Sequence, residues 1–139
     1  MNYIIKSYQN IGNIYLKETR DNIRNKFKNE FDVFVKTQFD KNSTDIFTKY
    51  GLIVYYDENN LCEAVEIVKP ANPLLNNIEL LNMPYIEIFK FFKLIDDSII
   101  EDDSGFTSNK LGFGIYAPNK DIDPIKNPES VIVFIEGYY

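Results

Sequence analysis

The chain has no histidine and only one cysteine in 139 residues. Without histidine there can be no His-dependent catalytic triad and no ordinary zinc site, and the commonest acid–base group at neutral pH is missing. Cys62 cannot close an internal disulfide, and with no second thiol or imidazole it offers no metal site. It reads as a small apolar residue in a strand, not a nucleophile, since no histidine exists to activate it. No apolar run approaches the roughly 20 residues that a membrane helix needs. The start, Met1-Asn2-Tyr3-Ile4-Ile5-Lys6, lacks the charged, apolar and cleavage regions of a secretory leader. These absences predict a cytoplasmic location with no membrane contact.

Other chemistries are missing too. The Gly112-Phe113-Gly114 pair of glycines lies inside a strand pattern, not ahead of a helix, so no phosphate loop is expected. Asp96-Asp97 and Glu101-Asp102-Asp103-Ser104-Gly105 lack the alternating ligand order of a calcium loop. Paired-carboxylate glycoside chemistry needs a cleft that a chain of this length is poorly able to build. The expectation is a protein with no catalytic residues, no metal and no cofactor. A net charge of −6 disfavours nucleic acid.

What is present is core material. Hydrophobic residues make up 45% of the chain, with 11 Phe and 10 Tyr, enough for a packed interior in one domain over 1–139. Charge is unevenly spread. Residues 1–50 carry nine Lys/Arg against six Asp/Glu, whereas residues 51–139 carry six against fifteen. The second half is an acidic pole able to steer a basic partner.

Along the chain, Gly12-Asn13 marks a turn and Thr19 an N-cap for a helix over 19–35, with Ile23, Phe27, Phe31, Phe34 and Val35 on one stripe. Arg20, Arg24, Lys26 and Lys28 fall off that stripe and read as a solvated face. Residues 37–48 read as a loop. Leu52–Tyr56 and Leu61–Val68, joined by Asp57-Glu58-Asn59-Asn60, read as a hairpin. Pro70-Ala71-Asn72-Pro73 then reads as a boundary. A second helix is predicted near 84–94, with Pro84 in its first turn. Ile99-Ile100 reads as an edge strand, Leu111 to Ala117 as a strand and Pro118 to Glu129 as a polar loop. Val131–Ile135 reads as a central strand. Phe27, Phe31, Phe89, Val131 and Val133 are expected to be buried.

The order of elements suggests a repeat, pairing Ile14 with Ile78, Leu16 with Leu80, Phe27 with Phe91 and Gly51 with Gly112. The predicted fold class is α+β: two related strand–helix–hairpin units, 1–70 and 74–139, with helices packed on one face of a mainly antiparallel sheet. Asp96, Asp97, Glu101, Asp102, Asp103, Asp121 and Asp123, with Phe106 and Tyr116 nearby, form a candidate surface for docking a basic protein.

Three segments carry a resemblance: Ile11-Gly12-Asn13-Ile14-Tyr15-Leu16 before a Thr-started helix, Tyr50-Gly51-Leu52-Ile53-Val54-Tyr55-Tyr56-Asp57, and Ser130 to Tyr139. In these the chain resembles small bacterial immunity proteins encoded beside polymorphic or contact-dependent toxins. The repeated layout also looks like that of β-lactamase-inhibitor-like proteins, which bind other proteins. The resemblance implies a cytoplasmic protein that neutralises a cognate, basic protein toxin by direct binding. The alternative is a small-molecule-binding or housekeeping α+β protein without catalysis.

Overall fold

Alternation decides the architecture. In Leu52–Tyr56, Leu52, Val54 and Tyr56 are buried while Ile53 and Tyr55 are only half-buried, the period of two that gives a strand one wet face. The computed structural model describes residues 1–35 and 42–139. The first half supplies β1 (Asn2–Lys6), β2 (Asn10–Ile11), β3 (Ile14–Tyr15), α1 (Arg20–Lys26), β4 (Asp32–Phe34), β5 (Thr44–Phe47), β6 (Leu52–Tyr56) and β7 (Cys62–Ile67). The second half supplies β8 (Asn72–Leu75), β9 (Ile78–Glu79), α2 (Tyr85–Ile95), β10 (Ile100–Asp102), β11 (Gly105–Ser108), β12 (Phe113–Tyr116) and β13 (Ser130–Phe134).

Two sheets result. The large one has eight antiparallel strands in the order β10-β11-β12-β13-β7-β6-β5-β4, so a four-stranded meander from each half meets the other where β13 pairs with β7, Val131 opposite Ile67 and Val133 opposite Val65. The small sheet runs β3-β2-β1-β8-β9, with β1 parallel to β8. The hairpin of β6 and β7 is observed where the turn residues place it, with Asp57 Oδ1 accepting the Asn59 and Leu61 amides. Val131–Phe134 does lie in the middle of the large sheet.

The expected fold class is overturned. The described residues are mostly β, 38% strand against 16% helix, with only two α-helices, and they do not form a repeat of helix-on-sheet units. The first helix shows why. Thr19 caps it, its hydroxyl accepting the Asn22 amide at 3.3 Å, but it ends at Lys26. Lys28 and Asn29 both take left-handed φ near 57°, which stops helical hydrogen bonding, and the chain re-enters as strand β4. Phe34 and Val35 are therefore exposed, and Phe31 and Phe89 are half-buried, not buried as expected; Phe27, Val131 and Val133 are buried. The proline segment is not a simple boundary either, because Asn72–Leu75 pairs with β1. Nor is all of 37–48 a loop: Thr44–Phe47 is strand β5, and the stretch before it, through residue 41, lies outside the described residues. Arg20 and Arg24 do not stand on a solvated face but close over buried Asp45.

Both helices face the inward side of the large sheet. Phe27, at the end of α1, lies 4.9 Å from the Phe47 ring of β5; Phe92 of α2 meets Phe113 of β12 edge-on at 4.9 Å. Ile5, Ile11, Ile14 and Leu75 of the small sheet join the same buried cluster. α2 starts without a side-chain cap; its first amides, on Tyr85 and Ile86, donate to the carbonyls of Lys126 and Pro124, so the 118–129 loop satisfies the helix end.

Candidate functional site

Because the core lies on one side of the large sheet, the other side is open except around Phe134, which Tyr8, Tyr138 and Tyr139 cover. The register sets a row of outward positions across five strands: Glu66 of β7, Ile132 of β13, Gly114 of β12, Thr107 of β11 and Ile100 of β10. Two residues along the strands, Asp102 stands opposite Gly105, and Gly105 opposite Tyr116. Gly105 and Gly114 give this region a floor without side chains. At Gly105, φ is 153° and a Cβ would come within 1.8 Å of the Ile115 carbonyl oxygen, so only glycine fits. The result is a trough of about 240 Å³, walled by Glu66, Thr107, Ile132, Asp102, Tyr116 and Tyr139.

The walls are anionic and already held in place. Glu66 Oε1 accepts the Tyr55 hydroxyl at 2.8 Å; Asp102 Oδ1 accepts the Ser104 amide at 2.9 Å. After β13 the chain turns back so that Tyr138 stacks on Phe134 at 5.5 Å and Tyr139 meets Phe134 edge-on at 5.1 Å. Burial, then the neighbouring Asp102 and Glu66 carboxylates, push the Tyr139 phenol up from its ordinary pKa. Tyr138 is pushed up to about 12, chiefly by burial and then by Glu63. The eight strands of this sheet contain no lysine or arginine.

The structure brings only some of the expected surface together. Asp102 and Tyr116 line the trough. Phe106 also borders the trough, but its ring packs in the core, 2% exposed, against Phe92 and Phe113. Glu101, one residue from Asp102, takes the opposite face: it accepts the Tyr85 hydroxyl at 2.7 Å and pairs with Lys120 at 3.5 Å. Asp121 pairs with the same Lys120 at 3.0 Å, whose side chain is 6% exposed. Asp96 is buried and structural, accepting the Ser98 hydroxyl at 2.6 Å, the Ser98 amide at 2.9 Å and the Ser108 hydroxyl at 2.7 Å. Burial alone would raise its pKa; the serine hydrogen bonds and Lys110 outweigh that and hold it below the usual value. Asp97, Asp103 and Asp123 sit exposed outside the strands and helices. Glu66, Thr107, Ile132 and Tyr139 were missed. Alternation within β7 would have turned Glu66 outward, but only the cross-strand register puts these four around the same trough as Asp102. Among the described residues there is no group of three or more acidic or thiol side chains placed to hold a metal, and no helix is long and apolar enough to cross a membrane.

No protein-family model, curated protein or solved structure matches the chain. The likeness to immunity proteins thus rests on the sequence segments alone, and function has to be argued from the surface.

Proposed function

We propose that the chain is an immunity protein, one that neutralises a basic protein toxin by stoichiometric binding through the open face of its large sheet. One observation carries this: the outer face of the eight-stranded sheet, covered around Phe134 by Tyr8, Tyr138 and Tyr139 but open over a trough with an aromatic and acidic wall, on strands that hold no cation. Aromatic groups supply contact area at low entropic cost and fixed carboxylates supply steering, a combination suited to a positively charged protein surface. The acidic pole of residues 51–139 extends the same field.

The test is co-expression with the product of the gene immediately upstream, scored by growth, with calorimetric titration of the purified pair at two salt concentrations. Protection, one-to-one binding and an association rate that falls as salt shortens the Debye length from about 10 Å at 0.1 M are expected. A wild-type chain that neither binds nor protects overturns the reading.

A further inference from the structure

We propose that the trough receives an extended segment of the partner bearing two basic side chains, one meeting Glu66 and the other Asp102, with a small residue between them over Gly114. The proposal rests on the reading of the chain as a protein-binding module and names the chemistry that this one site selects. Glu66 and Asp102 stand on strands four steps apart in the sheet, which at ~4.8 Å per step separates their backbones by roughly 19 Å. An extended chain advances about 3.3 Å per residue and turns alternate side chains to the same side, so basic residues roughly four or six positions apart reach both carboxylates, whereas an odd spacing turns one away.

The middle of the trough fits such a segment. Gly105 and Gly114 let its backbone come down to the sheet, and the Tyr116 and Tyr139 rings border it, where they can face an arginine or lysine. Both anions are preorganised, Glu66 by Tyr55 and Asp102 by Ser104, so little ordering remains to be done on binding. No lysine or arginine of the eight strands competes for them.

The probe is a set of short acetylated, amidated peptides of arginine, serine and valine with identical composition, the two arginines set an even or an odd number of positions apart. They are titrated into the isotopically labelled full chain and followed by amide shifts. Shifts centred on Thr107, Gly114, Ile132 and Tyr139, with tighter binding of the even-spaced peptide, are expected. The pair Glu66→Gln and Asp102→Asn keeps both accepting oxygens and so the fold, and should weaken binding roughly fivefold, as for two partly exposed charges. Gly114→Val, whose Cβ meets the Ile132 Cγ2 at 3.2 Å and the Thr107 Oγ1 at 3.6 Å, both side-chain atoms on this face, should block the trough with spectral dispersion retained. Equal affinity at both spacings, or shifts spread over Asp97, Asp103 and Asp123, overturns the proposal. A double variant that still binds and protects against a toxin neutralised by wild type overturns the trough assignment and leaves the immunity reading standing. Spacing-selective peptide binding by a chain that neutralises no toxin supports the trough and removes the immunity reading.

Discussion

Arg24 grips Asp45 with two hydrogen bonds, Nε to Oδ2 at 2.7 Å and Nη2 to Oδ1 at 2.8 Å, and the carboxylate is completely shielded from solvent. The Tyr56 hydroxyl donates to the same Oδ2 at 2.9 Å, and Arg20 lays its guanidinium over the Tyr56 ring at 4.1 Å. One buried carboxylate thus ties α1 to β5 and β6. The Asp45 hydrogen bond, more than any other influence, raises the Arg24 pKa.

Removing Arg24 leaves the buried Asp45 carboxylate to the Tyr56 hydroxyl and the longer Arg20 contact at 4.0 Å. Arg24→Ala should cost about 1.5–3 kcal/mol in denaturant melts. Glu30→Ala, which breaks the exposed pair with Lys49 at 3.4 Å, should cost about 0–1 kcal/mol. Similar losses for the two variants would show that Asp45 is not held as described.

Phe92 is fully buried and packs edge-on against Phe113. Phe92→Ala should therefore cost about 3–5 kcal/mol of unfolding free energy, and Phe89→Ala, half-buried beside Tyr85 and Phe106, clearly less. Equal midpoints in urea would contradict the inward face assigned to α2.

Asp96 should give the fold part of its resistance to acid. Its folded pKa lies below the value in the unfolded chain, so its stabilisation is fully present above the unfolded value of about 3.9 and is lost as pH falls through the folded one. Ser108→Ala removes a hydrogen bond to the charged form and moves the folded pKa back toward the unfolded one, so the loss should be smaller and complete at a higher pH. Melting temperatures from pH 7 to pH 2 check it; parallel curves for the variant and wild type would refute the role.

Cys62 is 1% exposed, and burial, followed by the nearby Glu18, pushes its thiol up to about 12. Native protein should leave a thiol-specific chromogenic disulfide unreacted at pH 8, and one equivalent should react on adding guanidinium. Rapid reaction of the folded chain would show that β7 opens locally.

The sequence by itself determined the local elements whose signals are local. Thr19 as a cap, the Asp57–Asn60 turn, the second helix behind Pro84 and the strand at Val131 all follow from residue type and spacing within a few positions. It could not determine where the first helix stops. The stripe Phe27, Phe31, Phe34 continues a helical period, but left-handed Lys28 and Asn29 end it, and Phe34 is left exposed on an edge strand. The acidic run of residues 96–103 was visible as composition only. Tertiary structure alone sent Asp96 into a serine-lined interior, Glu101 to Lys120 and Asp102 to the open face, because adjacent strand residues point to opposite faces. It alone brought Glu66 and Tyr139 to Asp102, through the pairing of β13 with β7 across more than sixty residues of sequence, a contact set by buried area and hydrogen-bond register, not by any local preference.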